Sequence, residues 1–143
     1  MYDAVLFPTD GSEAADAAFE HATSIAETYG AELHVLYVVD TTYAGVGAAG
    51  SSNISSLREK GETVVSEVET RAESEGIPVL TEIREGHPYD EIIEYSEDGI
   101  DLIVMGTQGR GGLDRFLLGS VTEKVVRTAS VPVFTVRKPE ADG

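Results

Sequence analysis

The chain has 143 residues, no cysteine, and 26 acidic against 10 basic side chains, for a formal net charge of −16. A chain of this length suits a single domain that buries ~70% of the surface its unfolded form exposes, and the lack of cysteine excludes disulfides, zinc–thiolate sites, iron–sulfur clusters and cysteine nucleophiles. The charge opposes nonspecific binding to DNA, RNA or anionic membrane, whose phosphates such a surface repels, although it leaves room for one nucleotide.

Residues 2 to 7 read as a short strand, closed by Pro8 and then Asp10-Gly11. Ala15, Ala18, Phe19, Ala22, Ile25, Ala26 and Tyr29 recur at helical spacing, and Gly30 supplies the stop. Leu33 to Val39 is almost continuously apolar, broken only by His34, as expected of a central strand buried on both faces. The small residues from about 41 to 53, with Gly45, Gly47 and Gly50, predict a flexible loop within the one domain, 1–143. Ile54, Leu57, Val64, Val65, Val68 and Ala72 mark a long amphipathic helix ending near Gly76. Residues 79 to 84 mix polar with apolar side chains, which suits a strand at a sheet edge. A short helix from Pro88 to Glu97 carries Ile92 and Ile93, and Leu102 to Met105 is a further buried strand. After a glycine-rich segment, Val121, Val125, Val126 and Ala129 give the last helix one apolar face, and Val131 to Val136 forms the last strand. Pro132 cannot donate to a ladder, so this strand lies at an edge or begins at the proline.

The order βαβαβαβαβ predicts an α/β fold: a single doubly wound, parallel five-stranded sheet with helices on both faces and right-handed crossovers. With strands three and five at the edges, the order is 3-2-1-4-5. Strands one and four are then neighbours whose C-terminal ends form the topological switch point where such sheets bind ligands. One end carries Pro8, Thr9 and Asp10; the other carries Met105 and Gly106.

The segment from Met105 to Thr122 has two features of an anion site. Its spacing is Gly106-x-x-Gly109, nine residues, then Gly119-Ser120. Gly106, Gly109, Gly111 and Gly112 let main-chain N–H groups approach a ligand. A helix starting at Gly119 or Ser120 would aim its unpaired N–H groups and positive dipole end at an anion. Ser120 and Thr122 add hydroxyls, and Arg110 and Arg115 add charge. A plainer reading stands beside this one: Ser120-Val121-Thr122-Glu123 has the pattern of a capping box. Asp10-Gly11-Ser12-Glu13 likewise has the pattern of a turn and helix start, with Asp10 as cap. There is no Walker A sequence and no G-x-G-x-x-G after the first strand. His21, His34 and His87 are scattered and Ser12 has no evident base, which argues against a hydrolase triad.

The spaced glycines resemble the ATP-binding loop of the universal stress protein family. The resemblance extends to Pro8-Thr9-Asp10-Gly11-Ser12, Leu36-Tyr37-Val38-Val39-Asp40, Gly119-Ser120-Val121-Thr122-Glu123 and Pro132-Val133-Phe134-Thr135-Val136. It implies a Rossmann-like, adenine nucleotide alpha hydrolase-like fold and ATP as ligand. It also implies that Pro8, Thr9, Met105 and Gly106 border the nucleoside, that Val38 lines the adenine, and that Asp10 lies at the ribose and metal-phosphate end. Gly109, Gly119, Ser120, Val121 and Thr122 would contact phosphates. A carboxylate facing a polyphosphate needs a cation between them, so Mg2+ or Mn2+ held mainly by phosphate oxygens is expected; no dedicated protein metal site and no catalytic residue is expected.

A nucleotide-dependent stress-response or signalling module acting on an unknown downstream protein is therefore the leading expectation. The alternatives are a slow ATPase or autophosphorylating enzyme, with Ser120 or Thr122 as acceptor, and an interaction module with a vestigial pocket. The absence of a signal peptide pattern or bilayer-length apolar run leads to the expectation of a cytoplasmic protein without a membrane partner. An exposed last strand, 131–136, predicts a homodimer. The abundance of Asp and Glu against only three lysines, Lys60, Lys124 and Lys138, resembles proteins of salt-loving microbes, in which a Debye length of about 3 Å near 1 M salt screens surface carboxylates from one another.

Overall fold

The structure, a computed structural model, describes residues 1–41, 48–107 and 119–137, with side chains in the long second helix described from residue 54 onward. The elements are β1 (Ala4–Pro8), α1 (Glu13–Tyr29), β2 (Glu32–Asp40), α2 (Ala48–Ser74), β3 (Val79–Gly86), α3 (Pro88–Ser96), β4 (Leu102–Gly106), α4 (Ser120–Thr128) and β5 (Val133–Val136). All strand pairs are parallel, and the order is β3-β2-β1-β4-β5. The α/β architecture and strand order agree with the sequence expectation, including mixed-polarity β3 and the proline-led β5 as the two edges.

Strand alternation divides the core into two layers. Val5 and Phe7 of β1, Val35, Tyr37 and Val39 of β2, and Val104 of β4 pack with α1 and α2 on one face. Leu6, Leu36, Ile103 and Met105 point the other way and pack with Ile92 of α3 and Val125 of α4. Helices thus cover both faces of the sheet.

Several element boundaries differ from the sequence reading, most by a residue or two, and three differences carry a physical reason. Residues 48–53, expected in a flexible loop, belong to α2; Ala48 and Ala49 are good helix formers, and a single glycine such as Gly50 is tolerated in a helix. Residues 42–47 of that loop lie outside the described residues. α1 is capped by Ser12 rather than Asp10: the Ser12 hydroxyl accepts the Ala15 N–H at 3.2 Å, while Asp10 Oδ1 accepts the Ser12 N–H at 2.9 Å in the preceding turn. β5 begins at Val133, and Pro132 contributes its carbonyl, which accepts the Ile103 N–H at 3.0 Å.

Candidate functional site

Parallel pairing of β1 with both β2 and β4 brings the C-terminal ends of three strands together. Pro8 is in register with Leu36, and Leu6 with Ile103. The Thr9 N–H continues the β1–β2 ladder, donating to the Leu36 carbonyl at 2.9 Å. Pro8 and Thr9 are buried, whereas Asp10 is partly exposed where the chain leaves the sheet. The Thr9 hydroxyl accepts the Gly11 N–H at 3.1 Å, and Gly11 turns the chain with φ of 80°. Val38, half-buried, lies on the α3/α4 face of β2 and is in register with Arg84 of β3.

On the other wall, Met105 and Gly106 end β4, both buried. Gly106 is required by packing: a Cβ there would stand 2.8 Å from the carbonyl carbon and Cβ of Ala14. The start of α1 therefore lies directly on the end of β4, which holds the two strand-to-helix turns in one crevice. Gly109, the second glycine of the motif, and its neighbours through residue 118 lie outside the described residues.

The chain re-enters the described structure at Gly119, the N-cap of α4. The anticipated capping box does not form. Gly119, not Ser120, occupies the cap position, with φ of −64° and ψ of 158° and no side chain to offer, and the Glu123 carboxylate pairs with Arg127 one turn along. The first intrahelical bond of α4 runs from the Glu123 N–H to the Gly119 carbonyl, 2.9 Å. The N–H groups of Ser120, Val121 and Thr122 precede it, so they have no partner further back within the helix. Ser120 is exposed and Val121 half-buried.

Two of the anticipated phosphate-contacting residues use polar groups internally. The Gly119 N–H donates to the Thr107 carbonyl at 2.7 Å, and the Thr122 hydroxyl, buried, donates to the Gly106 carbonyl at 2.9 Å. Thr107 itself donates its N–H to the Val136 carbonyl at 2.9 Å. Thr107 and Ala14 therefore help to build the site, although neither is a site residue on the sequence pattern alone. Thr107 follows a strand directly and lies between the first two glycines of the spaced motif, which is the one local signal that could have marked it.

Away from the crevice, His34 is held between two neighbours. The His34 ring contacts Glu32 Oε1 through Nε2 at 2.8 Å and the Tyr95 hydroxyl through Nδ1 at 2.7 Å. With neutral imidazole, the carboxylate must accept from Nε2–H, so Nδ1 accepts from Tyr95. Arg84, whose guanidinium is held charged above its ordinary range first by its hydrogen bond to Glu82, lies 5.0 Å from the centre of the Tyr95 ring. Among the described residues, no group of three or more His, Asp or Glu side chains could hold a metal ion, and no helix is long and apolar enough to cross a membrane.

Residues 1–137 match the sequence model of the universal stress protein family. The chain belongs to the universal stress protein family. Its relatives include the universal stress protein MJ0531 of Methanocaldococcus jannaschii, 42% identical over 99% of this chain and 86% of that protein. The solved structure of MJ0577 from the same organism is 32% identical, covers 99% of each chain and superposes with a TM-score of 0.89. More distant members share the fold: a universal stress protein in complex with cAMP at 24% identity, covering 96% of this chain and 99% of that one with a TM-score of 0.70, and an Arabidopsis thaliana member with AMP bound at 20%, covering 96% and 92% with a TM-score of 0.73. Nucleotides are thus bound by solved members of the family.

Proposed function

We propose that this family member binds ATP in the crevice between the ends of β1, β2 and β4 and acts as a nucleotide-dependent stress-response or signalling module on a downstream protein. The observation that carries this reading is the start of α4. Its first-turn N–H groups lack intrahelical partners, the cap residue has no side chain, and the helix begins beside the switch point of the sheet. The family's AMP- and cAMP-bound members support an adenine nucleotide as the ligand class.

In this reading Pro8, Thr9, Met105 and Gly106 border the nucleoside, Val38 lines the adenine, and Ser120, Val121 and Thr122 offer backbone donors to the phosphates with Gly109. Gly119 contributes by leaving the cap free of a competing side chain. Asp10 lies at the phosphate end, where its carboxylate requires an intervening cation. With no cluster of protein ligands among the described residues, Mg2+ or Mn2+ would be carried by the phosphate oxygens. Calorimetric titration with ATP, with and without Mg2+, tests the assignment, together with identification of any nucleotide released on denaturation; no saturable binding would refute it.

The exposure pattern bears on the alternative of autophosphorylation. Thr122 is buried with its hydroxyl engaged, whereas Ser120 is exposed, so label from the γ-phosphate would fall on Ser120 and disappear in Ser120→Ala. We infer also that β5 pairs two copies of the chain: it occupies a sheet edge and exposes Phe134, 40% accessible. Sedimentation at micromolar concentration should then report a dimer. The acidic composition supports a protein adapted to high salt.

A further inference from the structure

We propose that Thr122 is a positioning residue of the nucleotide site, acting through an internal clamp rather than by giving its hydroxyl to phosphate; the affinity part of this proposal rests on the ATP reading above. Thr107, just past β4, and Gly119, the cap of α4, are joined by the 2.7 Å hydrogen bond from the Gly119 N–H to the Thr107 carbonyl. Three residues into α4, the Thr122 hydroxyl adds a second bond, 2.9 Å, to the Gly106 carbonyl. Ala14 stands so close to Gly106 that no space is left there for even a methyl group.

The first turn of α4 is therefore referenced to the end of β4, and through it to the start of α1. Thr122 is 3% exposed, so its only hydroxyl proton is committed where solvent cannot compete. A phosphate would have to break this bond to receive that proton, and the Gly106 carbonyl would be left buried and short of a donor. The geometry instead gives the phosphate-facing task to the first-turn N–H groups and gives the Thr122 side chain the task of holding them in place.

The test compares Thr122→Val and Thr122→Ser with the wild type in two measurements. Amide hydrogen exchange is followed in the nucleotide-free protein, and affinity is measured for both ATP and adenosine. Loss of the clamp in Thr122→Val should speed exchange without nucleotide at Gly119 and Glu123, whose N–H groups are the hydrogen-bonded ones at this turn, and weaken ATP by ~10-fold while changing adenosine less than ~2-fold, the scale of one buried hydrogen bond. Thr122→Ser, which keeps the hydroxyl, should restore both properties. Unchanged exchange in nucleotide-free Thr122→Val would overturn the clamp, whether ATP affinity falls, as for a direct hydroxyl–phosphate contact, or stays the same. Should Thr122→Val fail to fold, Thr122→Ala replaces it: faster exchange at Gly119 and Glu123 supports the clamp, and unchanged exchange overturns it. Failure of wild type to bind ATP would refute the nucleotide reading alone, and the exchange result would still decide the clamp.

Discussion

Gly106 is the residue at which packing and site geometry meet. Placing a methyl group 2.8 Å from both backbone and side-chain carbons of Ala14 forces α1 away from β4, so Gly106→Ala should lower unfolding stability by roughly 1–3 kcal/mol, the usual cost of overpacking. Urea midpoints measure this, and Ala14→Gly should relieve only part of the loss because the carbonyl carbon of residue 14 also obstructs. The glycine was legible in the sequence as a member of a spaced motif. Its packing partner was not, because that depends on how closely a helix distant in sequence approaches the strand. Thr122 was likewise visible as a hydroxyl near a helix start, but its bond to Gly106 crosses 16 residues and exists only in the folded chain. Ser120 and Gly119 both suit a cap position, so local pattern could not separate them; the observed bonding does.

Among the elements, the strands were the most legible parts because buried parallel strands are written as unbroken apolar runs, as in Leu102 to Met105. The start of α2 was obscured by glycines that suggested a loop. The edge character of β3 was readable from its polar residues, yet their purpose emerges only in contact with α3. Arg84 bonds Glu82 and stands near Glu91 and Glu94, each 3.6 Å away, while Tyr95 of α3 reaches back to His34 of β2. Burial, followed by the nearby Glu82 carboxylate, raises the Tyr95 phenol above its ordinary value. The folded state thus prefers the neutral phenol more than the unfolded chain does. The associated stability is fully present below pH about 10, the unfolded value, and is lost as pH rises through the folded value. Ultraviolet titration should therefore show a tyrosine step above the ordinary phenol range, and Tyr95→Phe should remove it.

For the whole molecule, the charge of −16 and the switch-point crevice pull in different directions. A strongly acidic protein repels a polyphosphate at long range, so binding depends on local donors and a bridging cation rather than on net charge. The outer side of α2 alone exposes Glu59, Glu62, Glu67 and Glu73. Screening of such carboxylates predicts a higher thermal midpoint in molar potassium chloride than at low salt; the reverse order would remove the basis for salt adaptation. Whether the first turn of α4 holds ATP phosphates is decided by calorimetric titration of wild type and Ser120→Pro with ATP and Mg2+. Proline is favoured at the first helical position, and the extended backbone of Gly119 accommodates a following proline, so the helix persists while one N–H donor is deleted. Wild type should bind saturably, and Ser120→Pro should bind ~10-fold or more weakly at an unchanged thermal midpoint, the scale of a hydrogen bond to a charged group. Equal affinity in the two proteins, or no binding by wild type, would show that the phosphates are not held there.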